Sequence, residues 1–461
     1  MTVSLARVLR INRAELPPVF LSALYFFCLL CGYFFLRPVR EAMGVSRGMS
    51  DLRLLFIVTS ITSLLAVLAF GGVVARMNRR RFIPIAYLFI ITCLLVFAGL
   101  LITDIAAGGG LIGSDTETVI SRLIGYTFYV WLSVINLFVT SVFWAFMVDI
   151  FNVEQCKRIF PFIGIGGTLG AISGGWATSV ISGMTESAYL PVGLMLIGAT
   201  FFGLAIFIVL MLDRLAIRSS LSRLAMEQVK NQKEETEKIG GTFWDGMRAI
   251  ATSPYILGIG VYIILMAISN TMIYFTQASI ILNNTDTLSQ RVAGFAQFDM
   301  LAQMATLFTQ IFITTHLIKR IGVGWTLAIL PAVTMIGFAV LSIWTLYGVM
   351  AIFQAIHRAT RYAVSRPARE TLFSVVSTSE KYKAKPIVDV FLYRGGDVAG
   401  AGVDGLFAAL GLSLTAVATT TVPLAGVWGL LSLRLSRAQY ARSQATEKLQ
   451  QLRTPTQFLM V

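Results

Sequence analysis

Val19 to Leu36 reads VFLSALYFFCLLCGYFFL, and the next five residues are Arg37-Pro38-Val39-Arg40-Glu41. The uncharged run covers about 27 Å as a helix at about 1.5 Å per residue, close to the ~30 Å hydrocarbon layer of a bilayer. Arg7, Arg10 and Arg13 precede it, yet no small-residue cleavage site follows, so it reads as a first spanning helix rather than a secretory leader. Similar runs recur along the chain, about twelve in all. With 461 residues, 56% hydrophobic and 13% charged, and a mean hydropathy of +0.77, the chain is unlike an ordinary soluble domain. Backbone polar groups in hydrocarbon must pair within their own segment, so the fold class is all-α integral membrane.

The net charge of +14 is distributed with a pattern. Arg76, Arg79, Arg80 and Arg81 fall in one connection, Lys157 and Arg158 in another, and Arg214, Arg218, Arg223, Lys230, Lys233 and Lys238 in a third. Lys319 with Arg320, then Lys381, Lys383 and Lys385, then Arg434, Arg437 and Arg442 continue it, and the intervening connections hold almost none. The positive-inside rule makes both termini cytoplasmic, so the basic charge points to a membrane and not to nucleic acid. The long connection divides the spans six and six. We read an N-terminal half at 1–213, a cytoplasmic linker at 214–253, a C-terminal half at 254–436 and a cytoplasmic tail at 437–461.

The tenth span, AIFQAIHRATRYAVSRPARETLFSVV from Ala351 to Val376, carries Arg358, Arg361, Arg366 and Arg369 with His357 and Glu370. At about 3 kcal/mol for each arginine near the bilayer centre, four facing lipid would cost on the order of 12 kcal/mol. They must face a cavity or partners, and at about 100° per residue they share an arc of roughly 140°. Arg366-Pro367-Ala368-Arg369-Glu370 repeats the R-P-x-R-E pattern of the first span, whose Arg37 and Arg40 read either as cavity residues or as snorkelling anchors near the interface. An Arg and a Glu four apart can form an ion pair on a helix. In the eleventh span Asp389, Arg394 and Asp397, with Asp404, offer counter-ions and gating partners. Arginine forks suit phosphate and carboxylate oxygens, so Arg37, Arg40, Arg358, Arg361, Arg366 and Arg369 are the candidate substrate-binding residues for an anion. Glu41, Glu370, Asp389, Arg394 and Asp397 are the candidates for gating or coupling.

Gly164, Gly166, Gly167, Gly170, Gly174 and Gly175 in the fifth span read as a packing face, and Cys28 and Cys31, inside an apolar run, as packing rather than redox chemistry. The two histidines, His316 and His357, form no hydrolytic or metal-ligand constellation, so neither an enzyme nor a cofactor or metal is expected. Gly72, Ala75, Arg76, Asn78, Arg79 and Arg80 resemble the G-x-x-x-D-R-x-G-R-R loop of the major facilitator superfamily, with Ala75 in place of the acid, and Lys319-Arg320-Ile321-Gly322 is a reduced second copy. That resemblance implies two pseudo-equivalent halves in which the first and tenth helices line one path. It marks Gly72, Arg76, Arg79 and Arg80 as a conformational loop.

Three stretches are similar to the nucleotide transporter family of plastids and intracellular bacteria, the ATP/ADP translocases. They are FFLRPVREA from Phe34 to Ala42, FWAFMVDIFNVEQCKRIFPFIGIGG from Phe143 to Gly167, and Tyr362 to Gly396 with Pro367, Arg369, Glu370, Ile387, Val388, Asp389, Val390, Arg394 and Gly395. Val148-Asp149 departs from the family's Asn-Gln, and the acid it carries earlier in the fourth helix stands at about Leu132. The resemblance implies a nucleotide substrate, with the basic residues matching Arg40 and Arg369 engaged in binding it. It also implies a bacterial inner membrane location, and we expect a monomer. Exchange of ATP for ADP and proton-coupled uptake are both compatible, as are transport of another phosphorylated or organic anion and a non-transporting scaffold or sensor.

Overall fold

The computed structural model describes residues 16–74, 79–109, 112–113, 117–151, 153–218, 243–377 and 384–453, and every regular element among them is helical. In chain order these are α1 (Leu16–Val45), α2 (Met49–Val74), α3 (Arg79–Ala106), α4 (Val119–Ile150), α5 (Val153–Met184), α6 (Leu190–Arg218), the short α7 (Phe243–Thr252), α8 (Pro254–Asn283), α9 (Leu288–Phe312), α10 (Thr314–Ile343) and α11 (Tyr347–Ala359). α11 runs on through a π-helical segment at Thr360–Ser365 into α12 (Arg366–Leu372); a second π segment at Ile387–Leu392 leads into α13 (Tyr393–Ala409), and α14 (Leu414–Arg453) ends the series. α14 carries the helix well past residue 436, so the expected tail begins as its continuation.

Among the described residues nine helices are long and apolar enough to cross a membrane. The three expected spans outside that nine are the eighth, tenth and eleventh. They are the helices that carry Asp299, the tenth-span arginines, and the Asp389, Arg394 and Asp397 group. Asp299 and its polar neighbours lower the apolarity of the eighth, whereas the π segments leave the tenth and eleventh in shorter pieces, 13 residues in α11 and 17 in α13.

The chain divides into two compact units: Met1–Glu237 with Ala278–Gln303, and Lys238–Gln277 with Met304–Val461. The division falls within the expected linker, of which residues 219–242 lie outside the described residues. The end of α8 and the beginning of α9 group with the first unit.

In the first unit α1 packs against α4, α5 and α6. The α5 glycines set how close it comes: a Cβ on Gly166 would stand 2.5 Å from the Ala23 carbonyl oxygen, on Gly170 2.3 Å from that of Phe27, and on Gly174 2.6 Å from that of Cys31. Residues four apart lie on one helix face, so these glycines form a seam along which two backbones touch. Gly170→Leu is expected to destabilise the protein by about 1–3 kcal/mol, because the obstacle is backbone that cannot swing aside. Gly164→Ala, at a position with nothing within 4 Å, should instead hold or raise the melting midpoint. Thermal unfolding followed by fluorescence-detected size exclusion checks both.

Pro38 lies inside α1 and has no N–H, which releases the carbonyl of Phe34 one turn earlier. The Thr178 hydroxyl of α5 donates to that carbonyl at 3.4 Å. Thr178→Val is expected to cost about 1 kcal/mol, and less in a Pro38→Ala background; a double-mutant cycle on melting midpoints measures the difference.

In the second unit Tyr255, Ile259, Tyr262, Ile263, Leu327, Leu330, Leu372, Val388 and Trp428 belong to one buried cluster. Tyr255 donates from its hydroxyl to the Leu372 carbonyl at 2.9 Å, and the Gln439 amide donates to that of Thr371, also at 2.9 Å. These donors satisfy carbonyls at the C-terminal end of α12, which the helix itself leaves open.

Candidate functional site

In the first unit the charged string of α1 is turned into protein. Glu41 is 2% exposed; it accepts a hydrogen bond from Arg40 Nη2 and lies 3.7 Å from Arg37 Nε. Arg37 Nη1 stands 3.0 Å from Asp299 Oδ1 of α9. Arg40 Nη1 donates to Ser133 Oγ of α4 at 2.9 Å, and its guanidinium lies over the Tyr129 ring at 5.2 Å. Two cations thus meet two carboxylates, each within ion-pair distance of an opposite charge. Asp299 escaped the sequence reading, although a single carboxylate within FAQFDMLAQ is the signal that marks a working intramembrane group.

A further arginine of this unit, Arg47, forms a buried ion pair with Glu117, donates to the Met43 carbonyl at 3.1 Å and lies over the Tyr126 ring at 4.7 Å. Its charge is therefore cancelled inside the protein, outside the alternation of basic connections. Trp144 packs among Phe26, Phe143 and Phe160.

In the second unit the tenth-span arginines have different surroundings. Arg358 is buried, Arg361 and Arg369 are partly so, and Arg366 is exposed. Arg361 Nη1 donates to Asn270 Oδ1 of α8, and its Nη2 donates to the Tyr393 hydroxyl at the start of α13. Both acceptors are neutral, and no carboxylate makes an ion pair with Arg361 among the described residues. Arg369 Nη2 stands 3.6 Å from Asp389 Oδ1. Arg394 Nη1 donates to Asp397 Oδ2 at 3.1 Å, and the Thr271 hydroxyl donates to Asp397 Oδ1 at 3.4 Å. Two of these contacts, Arg361 to Tyr393 and Arg369 to Asp389, join the two stretches that contain π segments. Such segments arise where a helix absorbs an extra residue, and they concentrate at working sites.

The second R-P-x-R-E string does not copy the first. Glu370 is exposed and pairs with Lys385, and no ion pair joins it to Arg366 among the described residues. The buried counterpart, Glu41, sits within a helix that continues to Val45, whereas α12 ends at Leu372, two residues past Glu370. Of the expected loop, Gly72 lies in α2, and Arg79 and Arg80 open α3. Arg76 and the side chains of Arg79 and Arg80 lie outside the described residues.

A guanidinium held by neutral oxygens in a largely buried place keeps its full charge in surroundings that oppose it. An incoming anion supplies the missing counter-charge, and the fork geometry favours phosphate or carboxylate oxygens. Among the described residues no group of His, Cys, Asp and Glu is arranged to hold a metal.

The family profile described as TLC ATP/ADP transporter matches residues 5–429. The chain is 21% identical over 300 residues to ADP,ATP carrier protein 2, chloroplastic, of Arabidopsis thaliana, across 59% of this chain and 46% of that protein. It is 19% identical over 344 residues to ADP,ATP carrier protein 1 of Chlamydia pneumoniae, across 68% of this chain and 67% of that one. The match thus spans about half the length of the Arabidopsis relative. Among solved structures the nucleoside transporter NupG is similar with a TM-score of 0.58 at 14% identity, over 93% of this chain and 99% of the other. At that identity the likeness establishes the fold, which is that of the major-facilitator transporters.

Proposed function

Since the chain belongs to the TLC ATP/ADP transporter family, and is therefore a multi-pass membrane transporter and not an enzyme, we propose that it carries nucleotides across a bacterial inner membrane by alternating access. Arg37, Arg40, Arg358, Arg361, Arg366 and Arg369 bind the phosphates. Glu41, Glu370, Asp389, Arg394 and Asp397 serve as gating or coupling groups that exchange partners with the substrate, and the loop of Gly72, Arg76, Arg79 and Arg80 acts in the conformational change. The halves at 1–213 and 254–436 are the moving parts, and both termini lie in the cytoplasm, in line with the positive charge on alternate connections.

The observation that carries this reading is Arg361. Its hydrogen bonds go to Asn270 and Tyr393, neither of them charged, so it keeps a cation's affinity for a polyphosphate. The paired arginines, by contrast, must give up a carboxylate to take one.

The test is uptake of labelled ATP, ADP and the other common nucleotides into proteoliposomes, with and without internal nucleotide and with and without an imposed pH gradient. Uptake accelerated by internal nucleotide identifies exchange; acceleration by the pH gradient identifies proton coupling. Uptake of another phosphorylated anion and of no nucleotide would overturn the nucleotide assignment and leave the fold untouched. No uptake of any anion, with no change of melting midpoint on adding them, would favour a scaffold or sensor.

A further inference from the structure

We infer that Gln354 and His357 form the part of the substrate site that reads the nucleobase, an inference that rests on the phosphate-binding role proposed for Arg361. Two hydrogen bonds tie α11 and its π extension to α8: Gln354 Nε2 donates to Gln277 Oε1 at 2.8 Å, and Arg361 donates to Asn270. Residues 354 and 361 stand seven apart on one strand of this ladder, and 277 and 270 stand seven apart on the other. The helices therefore pair antiparallel through two rungs, about 10 Å apart along the axis.

His357 lies between those rungs. It is 1% exposed, and among the described residues neither Nδ1 nor Nε2 has a hydrogen-bond partner. One turn before it, Gln354 is 7% exposed and its Oε1 is equally without one. Buried polar atoms are almost always satisfied in native proteins, so three unsatisfied atoms on adjacent turns of one helix need a reason. A neutral imidazole offers one ring N–H donor and one ring acceptor. Together with the Gln354 carbonyl this makes a donor beside acceptors, the complement of a heteroaromatic base edge that carries a ring nitrogen and an exocyclic amino group. The Phe353 ring stands edge-on to the imidazole with centroids 6.0 Å apart, an apolar wall of the kind that bases pack against. His357 is also one turn, about 6 Å, from Arg361. A nucleotide likewise places its sugar between a base and its phosphates.

A site built to hydrogen-bond its substrate rejects an analogue lacking those groups far more strongly than an apolar pocket does. The test measures uptake of labelled ATP, GTP, CTP and UTP into proteoliposomes by the wild type, Gln354→Ala, His357→Ala and the more conservative His357→Asn. Inhibition by inorganic tripolyphosphate, which has phosphates and no base, is measured in parallel. We expect the alanine variants to raise the half-saturating concentration of the preferred nucleotide about ten-fold, as for the loss of one good hydrogen bond. Discrimination among the four bases should narrow, with tripolyphosphate inhibition unchanged, and His357→Asn should recover part of the selectivity.

Parallel weakening toward all four nucleotides and tripolyphosphate would overturn the inference, as a general structural defect does. Unchanged selectivity in both alanine variants, or in His357→Asn and Gln354→Ala where His357→Ala does not fold, would overturn it as well. A wild type that takes up no nucleotide and ignores tripolyphosphate would overturn the proposed function itself. A wild type that transports nucleotides without distinguishing bases would overturn only the base-reading site.

Discussion

Arg361→Gln should reduce the initial rate of nucleotide uptake about a hundred-fold or more at matched amounts of folded protein. Removing a buried charge that meets an oppositely charged ligand group costs about 2–5 kcal/mol of binding, and 2.7 kcal/mol is already a hundred-fold. The melting midpoint should change little. Because the partners of Arg361 are Asn270 and Tyr393, its neutralisation strands no carboxylate, which is the usual reason that breaking a buried charge unfolds a protein. Arg361→Lys keeps the charge and loses the fork, so its rate should fall between the two. Tyr393→Phe leaves charge and length intact and removes one acceptor, with an expected loss of about ten-fold or less. Proteoliposome uptake with ligand-free melting on the same preparations checks the set. A hundred-fold loss accompanied by an equal collapse of Arg361→Lys stability would reassign the residue to the scaffold.

Asp299→Ala should have the opposite profile, a large loss of stability. It takes from Arg37 its nearer partner, at 3.0 Å, and leaves only Glu41 at 3.7 Å. Breaking a buried pair from one side costs about 3–5 kcal/mol, and the 22% exposure of the Arg37 side chain moves this pair to the low end, about 3 kcal/mol. Arg37→Met with Asp299→Leu removes both charges and should recover most of that loss, since apolar replacements of buried pairs are often neutral. A melting series of the single and double variants yields the coupling energy. A double variant no more stable than Asp299→Ala would mean that the two groups are not partners in the folded protein.

Much of the architecture could be read from the residues because hydrophobicity is additive along a segment. Val19 to Leu36 needs no tertiary information to be a helix in lipid, and the four-residue spacing of Gly166, Gly170 and Gly174 announces a seam before its partner helix is known. The arginines were equally visible as expensive groups. Their partners were not, because an ion pair is a property of two distant positions. Nothing in FFLRPVREA points to residue 299, and nothing in the tenth span points to Asn270.

The repeated R-P-x-R-E string shows the same limit, since its two copies have different surroundings: Glu41 is enclosed within a helix that continues, whereas Glu370 sits near a helix end with Lys385 in reach. The π segments left no trace in the pattern either, since Thr360 to Ser365 fits an α-helix as well by composition and spacing.

That last feature changes how positions along the tenth span compare with one another. A π turn holds one residue more than an α turn, so everything from Arg366 onward is one count out of step with the helix that precedes it. A helical wheel drawn at constant pitch accordingly misassigns the azimuth of Arg366, Arg369 and Glu370 relative to Arg358 and Arg361 by about one residue's rotation, some 100°. Deleting a single residue such as Ala363 would restore a uniform spiral and leave the lower string on its present bearing, because the residue removed is the one the wider turn absorbs. The surplus residue thus works as a phase offset, setting the bearing that the guanidiniums of Arg366 and Arg369 take relative to that of Arg358.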